Sequence, residues 1–456
     1  MHLRYITMSL LCCYCVGGIT GFANNAALTT RARAALMVSS AALTTRARAL
    51  MMSSSSKMEA RHIENVAIVG GGLAGLSAAF HLIDIAKEKR PNEQLHITIY
   101  DKSQVGTSGA SSVAGGLMHP FSPRGKLIHF GQPALERSKV LVEAAAKHRP
   151  NCILRDYLYR VALSDKNVDQ LKDTASKHPE LASWMSEKDL HDHVGIDCLG
   201  GIKLSNGCQV IHVPTYLEGL LEEIKMKAKD YGSSVKWEVI KPNDHQALNQ
   251  KLKNFDSVIL SAGSGLLNNH LIEENVLPVQ LVRGQSIEIG LSTEENKNFI
   301  ENDAVLCGKY ISPLPSLTQD TDSQANMRQR YVIGATHEYK STPLTSTEVT
   351  EELRSRTYNL APHLWDEGVV DKITNGVRMQ SNRGAFGRMP IIGKYKSEAA
   401  AESELNHEHM WLFTGLSSRG LIYHAIFGKW IANAVFHDNE TLLQNEFEQF
   451  DWWRRK

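Results

Sequence analysis

Three glycines spaced G-x-G-x-x-G, Gly70, Gly72 and Gly75, sit inside the run "VAIVGGGLAGLSAAFHL" at residues 66–82. A glycine lacks the Cβ that would keep a large anion away from main-chain N–H groups, so this spacing lets a pyrophosphate rest on a strand-to-helix turn. Leu73 and Ala74 open the helix that follows. The second group with chemistry is Asp101, which closes "LHITIYD". A carboxylate at the end of the second strand accepts hydrogen bonds from a ribose 2′-OH. Asp101 lies farther along than the usual spacing of about 20 residues, because the intervening helix and loop are long. Strand, glycines, helix, strand and acid stand in the order that dinucleotide binding needs. A plain turn and a solvated aspartate share some of these features but not the whole order. The motif does not choose between FAD and NAD.

Other chemistry has less support. Cys12, Cys13 and Cys15 fall in an apolar leader, and Cys152, Cys198, Cys208 and Cys307 are scattered without C-x-x-C spacing. Buried thiols are the expectation, and a disulfide framework is not. "HDH" at 191–193 and "HEH" at 407–409 lie in polar, acidic sequence and read as solvated loops, with no metal site expected. No Ser-His-Asp or Cys-His arrangement is evident.

These groups need elements to hold them. The first strand is expected at 66–69, a helix from about Leu73 to Lys87, and the second strand before Asp101. A Gly/Ser/Ala-rich stretch, 101–125, follows; its apolar "GLMHPF" and small residues would let backbone approach a flat ligand. Helices are expected near 131–148, 214–231 and 347–361, with a buried strand in "FDSVILSAGSGL" (255–266). Residues 276–340 are rich in strand patterns, and "HMWLFTGLSSRGLIYHAIFGKWIANAVF" reads as strand, glycine turn and buried helix.

The chain has 456 residues, 42% hydrophobic and 22% charged, enough for a globular enzyme of two or more domains. Residues 1–58 contain no Asp or Glu but six basic groups, Arg4, Arg31, Arg33, Arg46, Arg48 and Lys57, and repeat "AALTTRARA" at 26–34 and 41–49. An apolar stretch too short for a membrane span precedes this Arg/Ser/Ala-rich segment. A signal-like and then a transit-like leader is expected to direct the protein to an organelle, foremost a plastid. A mitochondrial presequence is the alternative, as is a cytoplasmic protein started downstream. Taking six bases from the 50 Lys+Arg leaves 44 against 49 acids, a net of −5 for residues 59–456. That charge does not favour broad nucleic-acid binding, which needs phosphate neutralisation, although a local basic rim around a cleft would change the picture. No membrane span is expected in the mature chain.

Together these pieces resemble the FAD-dependent oxidoreductases of the D-amino-acid oxidase, glycine oxidase and sarcosine oxidase group, over about residues 64–437. "VAIVGGGLAGLSAA" is similar to the group's FAD fingerprint and "GASSVAGGLMHPF" to its second flavin loop. "SVILSAGSG" resembles the strand that rejoins the FAD domain, and "PVQLVRGQ", "KYISPL" and "YVIGAT" resemble the substrate-domain sheet. "GLSSRGL" resembles the C-terminal flavin loop, in a form close to the oxidase half of the bacterial bifunctional enzymes that make 5-methylaminomethyl-2-thiouridine in tRNA; their methyltransferase half has no counterpart here. One segment departs from the pattern. Between Arg378 and Pro390 the chain is longer than the group's norm and reads "NRGAFGRMP" where an Asp-Gly or Asp-His pair is usual.

The resemblance implies an α/β fold: a Rossmann-like, glutathione-reductase-type FAD domain made of 61–150, 208–275 and 380–440, and a β-rich substrate domain made of 151–207 and 276–379. It implies FAD contacts at Gly70, Gly72, Leu73, Ala74, Gly75, Asp101, Lys102, Ser108, Gly115, Gly116, Leu117, Val239, Ala262, Gly263, Gly415, Ser417, Ser418, Gly420 and Leu421. Arg378 stands where the group's arginine grips a substrate carboxylate, a task that suits a planar guanidinium. Arg419, Tyr310 and His119 are further cleft candidates, although each is also compatible with a packing or solvated role. The implied reaction passes a hydride from the C–H next to an amine to flavin N5, with oxygen as the implied final acceptor. The substrate is a small amine such as an amino acid or an N-substituted glycine. Two alternatives stay open: oxidation of a carboxymethylaminomethyl uridine in tRNA, and a flavin-holding assembly factor without turnover.

Overall fold

A computed structural model describes residues 63–241, 244–269, 271–273, 275–292, 303–315, 328–340, 342–395 and 409–454. The leader and the "HE" of "HEH" lie outside them. Ten strands matter for function: β1 (Asn65–Val69), β2 (His96–Asp101), β3 (Ser234–Val239), β4 (Ser257–Leu260), β5 (Val279–Ser292), β6 (Tyr310–Leu314), β7 (Arg328–Gly334), β8 (Val369–Ser381), β9 (Ile391–Lys394) and β10 (Met410–Thr414).

The strand–helix–strand pattern of residues 65–101 starts a parallel sheet, as βαβ units must, and strands within 234–260 and 391–414 extend it. Its order is β9-β10-β4-β1-β2-β3, parallel from β10 to β3, with β9 antiparallel at one edge. Val66, Ile68 and Ile97 face its core, and so do Ile259, Trp411 and Phe413. Two long helices lie on it, α1 (Leu73–Lys89) and, near the other end of the chain, α2 (Gly420–Phe436). Both are buried along most of their length, so apolar residues run round nearly their whole circumference and helical periodicity is weak. They pack against each other at Ser77, whose Oγ donates to His424 O (2.9 Å), and at Gly428, where any Cβ would strike Ser77.

The outer edge of β9 is closed by residues from the end of the described chain. Trp452 Nε1–H donates to Pro390 O (3.3 Å), Trp453 Nε1–H to Ile392 O (3.0 Å) and Arg454 Nη2–H to Lys394 O (2.5 Å). Glu440 accepts from the Lys394 N–H (2.6 Å).

The second sheet has eight strands: β8-β5-β7-β6, then Val305–Leu306, Leu158–Val161, Gly201–Leu204 and Ala182–Met185. It is antiparallel apart from the pairing of Val305–Leu306 with Leu158–Val161. The expected helices appear at Gly131–Ala146, Val213–Asp230 and Ser346–Thr357. One sequence expectation fails. "HDH" is part of a helix, Glu187–Val194, because Ser186 and Asp189 form a reciprocal cap that starts one there. His191 Nδ1 is 2.8 Å from Asp197 Oδ1.

Candidate functional site

The glycine turn is built for two different purposes. A Cβ at Gly75 would run into the Gly70 carbonyl, so this glycine allows helix and strand to pack closely. A Cβ at Gly72 would meet only Ser111 Oγ, at 3.0 Å, so beyond Gly72 the space is open. Beyond Gly263, at the end of β4, a Cβ would find nothing within 4 Å. Gly72 is the N-cap of α1 and has no side-chain cap; Arg419, the N-cap of α2, has none either. The two helix starts meet where a Cβ on Gly420 would come 2.8 Å from Leu73 Cδ1. Two positive helix ends, neither capped by its own N-cap side chain, therefore lie side by side, with the Leu73 N–H reaching Ser111 Oγ (3.4 Å), an arrangement that suits an anionic dinucleotide. Ala74 and Leu421, the second residue of each helix, are buried and serve packing.

Asp101 Oδ2 accepts from Gly71 N–H (2.8 Å) and Oδ1 from Ser103 N–H (3.2 Å). A carboxylate has about four acceptor positions, so it keeps capacity for a ribose hydroxyl. Trp237, on β3, was not singled out from sequence. Its indole lies against Gly71 so tightly that no Cβ fits there, and its Nε1–H donates to Ser103 O (3.1 Å). It thereby ties the glycine turn to the turn after Asp101. Val239 is half-exposed beside Asp101 in the parallel register, Lys102 is exposed, and Ser108 pairs through its hydroxyl with Ser103.

Two loops that the family resemblance implies as flavin-contacting touch residues of the second sheet. In the first, Gly115 faces Tyr310: a Cβ there would sit 2.5 Å from the Tyr310 ring. Gly116 and Leu117 continue into a short strand pair, Leu117 opposite Val210. In the second, Gly415 takes a left-handed backbone (φ 69°), and so does Ser417 (φ 57°). Ser417 Oγ accepts from Ser381 N–H (3.2 Å), and Leu416 bridges Gln380. The C-terminal loop is thus laced to the end of β8, the strand that carries Arg378. Ser418, beside it, is exposed, and Ala262 lines the β4 end with Gly263.

Arg378 projects from β8, and β5 lies between it and β7. Its guanidinium crosses β5 over Gly284, where Nη1 would be 3.5 Å from a Cβ. On the far side Nη2–H donates to His337 Nδ1 (2.7 Å). His337 is carried by an extension of β7 along β5: Thr336 N–H donates to Gln285 O, and Glu338 N–H to Arg283 O, both at 2.9 Å. Strand alternation turns Thr336 and Glu338 inward, where they are buried and hydrogen-bonded to each other, and turns His337 and Tyr339 outward. His337 must be neutral to accept from an arginine, and its Nε2–H then faces Tyr339 OH (2.9 Å). Desolvation, Arg378, Lys309 and Arg388 depress its pKa, with Glu352 opposing. Lys309 is itself held by Glu352 (2.6 Å) and Ala335 O (2.7 Å). Tyr310 OH lies 3.0 Å from Ser286 Oγ, and desolvation raises its pKa despite Ser286 and Arg378.

The segment 382–388 forms a small excursion closed by paired hydrogen bonds between Gly384 and Gly387. It presents Phe386, which stacks on His129 (centroids 4.3 Å apart, planes 27°) while remaining 36% exposed. Arg388 returns to the strand end, Nη1–H donating to Ser381 O (2.6 Å). Arg419 Nη1 lies 3.8 Å from the place of a Gly387 Cβ. Behind it, His119 is held down to about 3 by desolvation, Arg160 and Arg419, so it is neutral at ordinary pH. Of the residues expected from sequence, Tyr310 and Arg378 lie on strands of the second sheet and Arg419 is the N-cap of α2. Ser286, His337 and Arg388 were missed; only the anomalous "NRGAFGRMP" pointed towards the last.

Three comparisons with known proteins bear on this architecture. Residues 65–434 match the model of the DAO family, FAD dependent oxidoreductase. A tRNA 5-methylaminomethyl-2-thiouridine biosynthesis bifunctional protein from Haemophilus ducreyi is 20% identical over 420 residues, covering 84% of this chain and 57% of that protein, so the chain spans little more than half of this relative. Among solved structures, glycine oxidase from Bacillus cereus superposes with a TM-score of 0.60 at 17% identity, covering 84% of this chain and 97% of the other. Iminodiacetate oxidase from Chelativorans sp. BNC1 gives 0.58 at 17% identity, covering 82% and 95%. At these identities the structural likeness speaks for the fold.

Proposed function

Because the chain belongs to the DAO family of FAD-dependent oxidoreductases, we propose that it oxidises the carbon next to the nitrogen of a carboxylate-bearing amine, an amino acid or N-substituted glycine. The observation that carries this reading is Arg378, a half-buried guanidinium with a neutral acceptor on one side and no carboxylate partner among the described residues. A desolvated cation of this kind calls for an anionic ligand. FAD supplies the acceptor for the hydride that leaves the substrate carbon. The chain's own groups do the rest. Arg378 fixes the carboxylate end. Tyr310, protonated because its pKa is raised, offers its hydroxyl beside Gly115, at the boundary between the substrate sheet and the dinucleotide slot. The cationic wall disfavours an ammonium and so favours the neutral amine, the form whose lone pair assists hydride loss. The imine released is hydrolysed by water.

The test is anaerobic bleaching of the flavin by a panel of N-alkyl glycines and D-amino acids, each paired with its amide. Bleaching by acids and not amides supports the reading; equal bleaching by both removes the clamp from it.

A second reading, oxidation of a carboxymethylaminomethyl uridine in tRNA, is favoured by one feature: Phe386 stacked on His129 beside Arg383 and Arg388 offers an aromatic plate on a basic rim. Undermodified tRNA belongs in the same panel. We also infer that residues 1–58 are an organelle address, foremost for a plastid, on their acid-free composition; a reporter fused to them and found diffuse in the cytosol refutes it.

A further inference from the structure

Several charged side chains elsewhere in the second sheet have opposite charges beside them: Arg330 pairs with Glu288 (2.5 Å) and Asp371 (3.4 Å), and Lys309 with Glu352 (2.6 Å). The buried Arg160 lacks such a partner but gives both terminal nitrogens to carbonyls, of Ser122 (2.7 Å) and Pro123 (2.9 Å). Among the described residues, neither Arg378 nor Arg388 has a carboxylate within ion-pair distance, and both are half-buried. Arg388 stands where the family resemblance leads one to expect an Asp-Gly or Asp-His pair, so an acid is missing and a cation is gained at one point of the wall.

The two guanidinium groups are anchored on the same strand end. Arg378 leaves β8 itself, and Arg388 holds the carbonyl of Ser381, three residues further along β8. Each is spoken for by one neutral acceptor only, His337 Nδ1 for Arg378 and Ser381 O for Arg388. Each guanidinium has five N–H donors, so most of both remain available. Burial depresses the Arg378 pKa, Tyr310 and Tyr339 oppose it, and the Arg388 charge adds a smaller depression there and at His337. A single carboxylate would leave this pair with a net positive charge in a partly desolvated site. Two anionic groups would neutralise it.

Resting on the amine-oxidase reading above, we propose that Arg388 is a second anion-binding residue of the substrate cleft. The substrate is then a dianionic amine, with one carboxylate on Arg378 and a further carboxylate or phosphate on Arg388. The departure from the family pattern at 382–388 is on this account a specificity element and not a decayed motif.

The experiment uses the FAD-loaded protein and three nitrogen-free analogues that offer no amine to oxidise: the ether diglycolate (two carboxylates), the phosphate ester 2-phosphoglycolate (carboxylate and phosphate) and the ether methoxyacetate (one carboxylate). Affinities are read by calorimetry for the wild type, Arg388→Gln, Arg388→Lys and Arg378→Gln, each with its flavin content checked. The wild type should bind one of the dianions about 30-fold or more tighter than methoxyacetate, the low end for a charge pair of this kind. Arg388→Gln should reduce that preference to about threefold or less while leaving methoxyacetate within about twofold; Arg388→Lys should keep most of it. Which dianion wins identifies the second group as carboxylate or phosphate. Absence of any dianion preference in the wild type, including absence of binding, overturns the proposal. So does an Arg388→Gln variant that weakens methoxyacetate as much as the dianions, since Arg388 would then share one carboxylate with Arg378. If Arg378→Gln leaves all three affinities unchanged, the fault lies in the clamp reading itself.

Discussion

The dinucleotide slot and the proposed substrate cleft, whose Tyr310 ring faces Gly115, are made of different material. The slot is built from main chain: the turn at Gly70–Gly75, the open flank of Gly263, and two uncapped helix starts. The cleft is built from side chains that reach across strands: Arg378 over Gly284 to His337, Tyr310 to Ser286, Arg388 to Ser381. A main-chain site tolerates change in most side chains but not the addition of a Cβ at a few positions. A side-chain site has the reverse sensitivity, because losing one partner leaves the backbone intact and the chemistry gone.

The largest expected effect separates two glycines within the slot. Gly75→Val should prevent folding, since its side chain has nowhere to go but into the Gly70 carbonyl. Gly72→Val, whose Cβ meets only Ser111 Oγ, should leave a folded protein that is colourless. Far-UV dichroism and released flavin distinguish them; a yellow Gly72→Val protein would break the contrast.

Arg378→Leu should do the opposite: full flavin content with turnover of carboxylate-bearing amines lowered by tens to thousands of fold, corresponding to about 2–5 kcal/mol. Arg378→Lys should recover only part, because an ammonium lacks the planar fork. Steady-state kinetics on an acid and its amide provide the check.

Acid should act on the slot. His81 on α1 is held down to about 3 and His424 on α2 to about 4, both chiefly by desolvation. Their folded pKa values lie below the unfolded value near 6.5, so the native state binds fewer protons. Their contribution is complete above that pH and is lost as pH falls from about 6.5 towards 4. For His424 a drop of about 2.5 units is worth on the order of 3 kcal/mol. Flavin retention and the melting temperature should fall together as pH drops through this range, and His424→Gln should flatten the fall.

The smallest effect concerns His337. His337→Ala should raise KM about tenfold with kcat little changed, and His337→Gln, which retains an acceptor, should restore most of the loss. The neutral imidazole is the acceptor, so wild-type kcat/KM should decline as pH drops below the usual histidine range, and the Gln variant should lack that limb. An identical acid limb in both would remove His337 from the clamp.

The same division of material explains what the sequence disclosed. Gly70, Gly72, Gly75, Asp101 and the Gly415–Leu421 loop were readable because main-chain geometry imposes residue types at fixed local spacing. His337 and Ser286 were not, because strand register brings His337 to Arg378 across β5 from 41 residues away and sets Ser286, on β5, against Tyr310, 24 residues away. Trp237 was invisible for the same reason: nothing local says that β3 will lay it on Gly71. The "HDH" segment was misread because composition outweighed the Ser186/Asp189 cap that starts a helix there.

The side chains that close β9 carry a consequence for handling the protein. An open strand at the border of a sheet is a template on which another chain can add. Here the carbonyls of Pro390, Ile392 and Lys394, one row along that border, are occupied by two indoles and a guanidinium. A chain cut just before Trp452 would keep every residue of the slot and the cleft, and would bare that row. Its failure would be sticky rather than catalytic: active molecules that cluster border to border as they are concentrated.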